Sequence, residues 1–228
     1  MPAIAANLQR VRTRIAAAAE RAGRDPAQIT LVSVVKGRPL DQVRELLDCG
    51  QRLFAENRIQ EARSTIPQLP SDIEWHFIGH LQKNKAKDAV RLFSMIHSLD
   101  SLELAQVVNK IAERERRLLD CLIELNISGE ETKQGLDPRN VLPLLEQAPR
   151  LPHLRLRGLM TMAPHFPNPE DTRPVFHRLR LLRDRLAAYN LPGIFLDHLS
   201  MGMTNDFEIA IEEGATMVRI GTALFDES

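Results

Sequence analysis

The apolar positions of the chain fall into two alternating rhythms. Leu31, Val32, Val34 and Val35 make a short, almost unbroken apolar run, rich in β-branched residues and bounded by Gly37 and Pro39. Such a run reads as a strand buried on both faces, as in a parallel sheet. Short strands are predicted likewise over 52–56, 74–78, 95–97, 121–126, 154–162, 194–198 and 216–220. Between strands the apolar residues switch to helical spacing, first at Leu40, Val43, Leu46 and Leu47, a helix that Gly50 stops. Helices are predicted over 57–66, 83–92, 101–118, 138–147, 174–189 and 206–213, the last ended by Gly214. Pro138 suits a first helical turn. Glu103 suits the N-terminal dipole of its helix, although Ser101 finds no acid at Leu104 to complete a capping box.

Strand and helix alternate throughout, the signature of repeated βα units on a parallel sheet. The eight candidate strands match the number that closes a barrel of this kind. The predicted fold class is therefore α/β, a single (β/α)8 TIM barrel. Few residues follow the last strand, so the eighth outer helix has to come from elsewhere. Residues 4–21 supply it, with Ile4, Leu8, Val11 and Ile15 on one helical face. A helix there would pack between the first and last strands and close the outer ring. The same segment bears arginines and no acid before Glu20, a pattern that overlaps with a mitochondrial transit peptide. The barrel's need for the helix favours the first reading. No Gly/Ser-rich linker or composition shift divides the chain, so residues 1–228 are expected to form one domain.

Composition and charge narrow the function classes. The 228 residues are 43% hydrophobic and 26% charged, ordinary for a soluble globular domain, and the length is close to that of one α/β barrel. A formal net charge of zero gives no global field to attract nucleic acid or an anionic membrane. No apolar run is long enough to cross a bilayer. Cys49 and Cys121 lie far apart without metal-ligand spacing, so free thiols in a reducing, cytoplasmic compartment are expected. The basic cluster Lys83, Lys85 and Lys87 reads as a solvated helix face. Its alternative is contact with a partner protein or a second phosphate ligand.

Barrels of this kind carry their working groups at the carboxyl ends of the strands. Lys36, Glu56-Asn57, Gly79-His80, Ser98 with Asp100, Asn126, Thr161, Ser200 and Gly221-Thr222 follow the predicted strands in turn. Turn chemistry alone enriches such types, and Lys36 admits two readings. An amine at the mouth of an apolar strand loses hydration, which favours its neutral form and a Schiff base with an aldehyde. The alternative is a lysine that snorkels into water. After the seventh strand, His198-Leu-Ser-Met-Gly-Met-Thr204 runs into a helix, and after the eighth comes Arg219-Ile-Gly-Thr222. Hydroxyls, glycines and free backbone N–H groups before a helix suit an anion. Phosphate sites in these barrels often lie after strands seven and eight, although capped turns would use the same residues. A Schiff-base lysine and a phosphate site at one mouth point to pyridoxal 5′-phosphate. Arg219 would then face the ring nitrogen, keep it unprotonated and weaken the electron sink, unless it serves as a plain salt-bridge residue.

The motifs LVSVVKGRP, FAENRIQEA, WHFIGHLQKNK, IHSLDS, ELNISGEETKQGL, RGLMTMAP and LSMGMTNDFEIAIEEGATMVRIGTALF resemble the pyridoxal phosphate homeostasis proteins, small relatives of the alanine racemase barrel. The resemblance spans nearly the whole chain. It implies Lys36 as the Schiff-base lysine, Asn57 lining the cofactor, Ser200, Gly221 and Thr222 cradling the phosphate, and Arg219 facing the ring nitrogen. Met201, Gly202 and His80 match positions near the site. It further implies a monomer that holds pyridoxal 5′-phosphate, buffers its level and passes it to apo-enzymes without a robust reaction of its own. The alternative is a pyridoxal-dependent amino-acid racemase or related enzyme. Two-base racemisation needs an acid–base group on each face of the imine, and in alanine racemases a tyrosine from a second, β-rich domain serves the other face. The sole tyrosine here, Tyr189, is predicted on an outer helix, and the sequence ends at Ser228 without such a domain. A third reading is a cofactor-free Schiff-base aldolase whose substrate uses the phosphate loops. The chain departs from the family's usual Ser-Lys-Thr at Val35-Lys36-Gly37, and from its frequent glycine at Ala55. The first departure removes two hydroxyls beside Lys36.

Overall fold

The computed structural model describes residues 3–130 and 134–226, so 131–133 of the ELNISGEETKQGL motif lie outside the described residues. Eight strands pair in chain order and the eighth pairs with the first, closing a barrel. They are β1 (Thr30–Val34), β2 (Leu53–Glu56), β3 (Glu74–Phe77), β4 (Met95–Leu99), β5 (Leu119–Glu124), β6 (Leu154–Met160), β7 (His198–Ser200) and β8 (Met217–Ile220). Every pairing is parallel. The helices α1 (Ala3–Arg21), α2 (Leu40–Asp48), α3 (Ile59–Thr65), α4 (Ala86–Leu92), α5 (Leu102–Arg114), α6 (Val141–Leu145), α7 (Arg173–Ala187), α8 (Phe207–Glu212) and α9 (Thr222–Phe225) surround it. The α/β barrel expected from the alternation is the observed fold.

Side chains alternate across each strand, and this separates two cores. Val32, Val34, Ala55, Met95, Leu122, Met160 and Met217 form a small apolar cluster inside the barrel. Val35, Phe54, Phe77, Ile96 and Val218 point the other way, into a much larger cluster shared with the helices. A fully buried residue of this size contributes roughly 1.5–3 kcal/mol. The N-terminal helix completes the ring as its pattern predicted. Ile4, Leu8, Val11 and Ile15 are buried, and α1 packs on α2, α8 and α9. Asn7 Nδ2 donates to the carbonyls of Leu224 (3.3 Å) and Asp226 (3.1 Å), tying the helix to the chain after β8.

The departures from the predicted elements have local causes. The 101–118 helix stops at Arg114 because Arg116 turns left-handed (φ 52°). At its other end Ser101 does cap, its hydroxyl accepting from the Leu104 N–H at 3.2 Å. The seventh strand is His198–Ser200 instead of 194–198, and Phe195 remains more than half exposed. Residues 83–85 form a separate 3-10 turn before α4, and the short α9 was not anticipated. Lys83 is held by Glu103. Cys49 is half-buried and Cys121 buried, both as free thiols. Among the described residues, no helix is long and apolar enough to cross a membrane.

Candidate functional site

A cavity of about 680 Å³ opens at the carboxyl ends of the strands. Strand parity decides what lines it. Lys36 continues the inward face of Val32 and Val34, Asn57 that of Leu53 and Ala55, Glu124 that of Leu122, and Arg219 that of Met217. Gly221, directly after β8, and Thr222, the first residue of α9, complete one wall, and His80 stands at the rim with Nδ1 3.4 Å from Asp100 Oδ2. Six of the nine residues singled out from sequence therefore line one cavity: Lys36, Asn57, His80, Arg219, Gly221 and Thr222.

The other three lie behind it. Ser200 is fully buried and its hydroxyl is engaged, accepting from Arg219 NH1 at 2.6 Å and lying 2.9 Å from His97 Nδ1. Met201 belongs to the outer apolar cluster. Gly202 adopts φ +94°, and a Cβ there would sit 2.6 Å from that of Ala210, so its lack of a side chain lets α8 come close. Thr204, later in the same motif, does face the cavity with Thr222, and its Oγ1 accepts from the Ala223 N–H at 3.4 Å.

Lys36 differs from the sequence expectation in one respect. Its side chain stands exposed at the rim instead of being dehydrated by the strand. Its neighbours explain the unusual flanks. Val35 points outward into the apolar layer, so valine there takes no hydroxyl away from the cavity. Gly37 turns left-handed (φ +65°) and its N–H donates to Glu61 Oε2 at 3.1 Å, a conformation that threonine would adopt only with strain.

The deeper end of the cavity is electrically tense. Arg219 is almost wholly buried, donating from NH1 to Ser200 and from NH2 to the Thr161 carbonyl at 3.0 Å. Burial pulls it down to about 10, against the attraction of Glu124 and Asp206, so it remains a cation at neutral pH. Glu124 is pushed up to about 7 by burial, with Arg219 opposing and Asp100 reinforcing the shift. Glu56, which does not line the cavity, is also raised to about 7, by burial and then by Glu61. Glu56 Oε2 and Asn57 Oδ1 are buried without a hydrogen-bond partner.

Sequence reasoning passed over Glu124, Met162 and His165, all of which line the cavity. Glu124 had a signal, an acid on the inward parity of an otherwise apolar strand. His165 sits on a long loop after β6, where periodicity carries no information. Together the cavity offers a primary amine, a buried guanidinium with N–H groups still free, and paired threonine hydroxyls. That set suits an aldehyde that also carries a heteroaromatic nitrogen and an anionic tail.

The chain is a closed parallel barrel of the alanine racemase class, for the family profile described as "Alanine racemase, N-terminal domain" matches residues 3–228. The chain is 48% identical to the "Pyridoxal phosphate homeostasis protein" of Aquifex aeolicus, over 96% of each chain. Among solved structures, one described as "an unknown protein from Bifidobacterium adolescentis" superposes with a TM-score of 0.93 at 36% identity, covering 98% of this chain and 94% of that one. PipY of Synechococcus elongatus, solved with PLP bound, superposes with a TM-score of 0.85 at 35% identity, covering 98% of this chain and 100% of that one. The chain belongs to the family of the pyridoxal phosphate homeostasis proteins.

Proposed function

We propose that residues 1–228 form one domain that holds pyridoxal 5′-phosphate as a Schiff base on Lys36 and serves its storage and carriage in the cytoplasm. The observation that carries this reading is the convergence of Lys36, Asn57, Arg219 and the two threonine loops on one cavity. Its size falls within the roughly 300–1,000 Å³ of small-molecule sites. The residues fit the group. Asn57 Oδ1 is buried and unpartnered, and Ser200 and Thr161 occupy only two of the five N–H donors of Arg219.

The Lys36 amine adds to the aldehyde and one water leaves, so what the cofactor supplies is the aldehyde and an electron-withdrawing ring. Arg219 donates to the ring nitrogen and, staying charged, leaves it unprotonated. Thr204, Thr222 and the Gly221 backbone receive the phosphate. Ser200, Met201 and Gly202 act from behind, holding Arg219 and α8 in place, and His80 borders the entrance. A robust racemase is disfavoured because Tyr189, the sole tyrosine, is more than half exposed beyond α7 and does not line the cavity. In this reading the recipients are apo-enzymes that use the same cofactor, and the carrier works as a monomer.

The visible spectrum tests the proposal. The purified protein loaded with pyridoxal 5′-phosphate should be yellow, and borohydride should fix the added mass on Lys36. Lys36→Ala should lose the visible band with the fold intact by circular dichroism. A band persisting at wild-type strength in that variant overturns the assignment. Interconversion of amino-acid enantiomers at roughly 1–1,000 per second would replace carriage with catalysis.

A further inference from the structure

A chain of buried polar side chains crosses the lumen below the cavity. Arg219 on β8 donates to Ser200 on β7 (2.6 Å). Ser200 Oγ lies 2.9 Å from His97 Nδ1 on β4, and His97 Nε2 lies 2.9 Å from His76 Nδ1 on β3. His76 Nε2 then meets Glu74 Oε1 at 3.0 Å. Ser200, His76 and His97 are fully buried, whereas the Glu74 side chain is 55% exposed at the amino end of the barrel.

The carboxylate end, with neutral imidazoles, fixes the direction of the chain. Arg219 has no acceptor, so Ser200 receives its N–H. Glu74 as a carboxylate has no donor, so His76 must present an N–H at Nε2. The hydrogen bond from His76 holds the Glu74 carboxyl below its ordinary value, which keeps that end ionised. With neutral imidazoles, His97 then donates from Nε2 to His76 Nδ1, and the Ser200 hydroxyl donates to His97 Nδ1. Every donor finds an acceptor. Burial, with His76, Arg219 and His198 adding to it, holds His97 well below its ordinary value and so in the neutral form this direction needs.

Resting on the function proposed above, we infer that Glu74, His76, His97 and Ser200 are positioning residues for Arg219, a one-way relay of hydrogen bonds grounded on a carboxylate at the opposite mouth of the barrel. The relay orients the guanidinium toward the ring nitrogen and lets the Glu74 charge contribute to the potential of the cavity. Other charged groups face it from the surrounding strands. Glu124 on β5 and Asp206 before α8 face Arg219, while His198 on β7 stands beside His97 and itself feels Arg157, Asp197 and Asp120. Asp100, after β4, acts on Glu124.

Two measurements test the relay, with Glu74→Gln as the variant because that position is exposed. Long-range proton–nitrogen NMR of the ligand-free chain should show an N–H at Nε2 of both His76 and His97, and Glu74→Gln should redistribute the His76 tautomers. A pH titration of the visible band after loading with pyridoxal 5′-phosphate should show the variant's midpoint moved downward by about half a unit or more, since losing an anion across a low-dielectric lumen disfavours the protonated adduct. A purely structural network would leave that midpoint in place. An Nδ1–H tautomer at either histidine, or an unmoved midpoint, overturns the relay. Absence of any visible band in the wild type overturns the proposed function instead, and the tautomers of the ligand-free chain then decide the relay alone.

Discussion

Two cores lie on either side of one sheet. Between the strands and the helices, Phe54 packs on Trp75 with ring centroids 5.5 Å apart and Phe77 on Phe93 at 5.2 Å, in a layer made almost wholly of apolar side chains. Inside the barrel, seven apolar residues share the space with Glu124, Arg219, Ser200 and two histidines. The outer layer is held by area and volume, which many residue sets can supply. The lumen is held by directional bonds, where each donor has one partner and a missing partner is costly. The contrast predicts that stability and ligand chemistry come apart by side of the sheet.

The largest effect should fall on the outer side. Phe54→Ala opens a cavity in the apolar layer and should lower the unfolding free energy by about 3–5 kcal/mol in denaturant titrations. The pH midpoint of the ligand's visible band should stay where it is. A moved midpoint would break the separation between the two cores.

The next effect belongs to the lumen and depends on pH. Glu124 is raised from 4.5 to about 7 in the folded chain, chiefly by burial. Between those values the folded state binds more protons than the unfolded one, so stability falls as pH rises and levels off above about 7. The penalty is absent below 4.5, where both states are protonated. Glu124→Gln should remove the decline. It should match the wild type near the acid limit and exceed it at pH 8 by on the order of 2–3 kcal/mol. Equal pH slopes for variant and wild type would mean that Glu124 is not held in a dehydrated lumen.

Arg219 sharpens the same contrast with a smaller effect. Exchanging a buried cation for an apolar chain of similar length is often neutral for stability, while lost hydrogen bonds at Ser200 and Thr161 pull the other way. Arg219→Met should therefore unfold within about 1 kcal/mol of the wild type. Its affinity for pyridoxal 5′-phosphate should fall about tenfold to a hundredfold, the value of a charge-assisted hydrogen bond. A large loss of stability with unchanged affinity would move Arg219 from the ligand to the scaffold.

How much of this was legible follows from the same division. Strand and helix alternation is a local signal, and it gave the number of strands, the place of seven of them and the closing helix. It erred where local signals mislead. The 194–198 run is apolar enough for a strand, yet Phe195 faces solvent. The basic end of the 101–118 helix has no glycine to announce the left-handed turn at Arg116. For the site, parity carries Lys36, Asn57 and Arg219 to one face, which is why they were readable. Ser200 was readable as a polar residue after a strand, but its partners were not, because His97 reaches it across the closed lumen from a strand three positions away. The available hint was a histidine at the same inward parity in each of two apolar strands, EWHFI and MIHSL.

The smallest predicted effect tests the side of the sheet on which one residue lies. Val35 directly precedes the lysine, at a position where the resemblance to the family implies serine. From sequence it looked like a lost hydroxyl beside the reactive amine. In the structure it is buried among outer-layer residues, with its N–H given to the Ala55 carbonyl at 3.0 Å. Val35→Thr keeps the shape and adds a hydroxyl that finds only apolar neighbours. It should lower the unfolding free energy by about 1–2 kcal/mol, the cost of burying a polar group without a partner. The visible band of the loaded protein should titrate at the wild-type midpoint. A shifted midpoint with unchanged stability would put the side chain at position 35 on the lumen side, next to Lys36. The parity that assigns Lys36, Asn57 and Arg219 to the cavity would then fail at its starting strand.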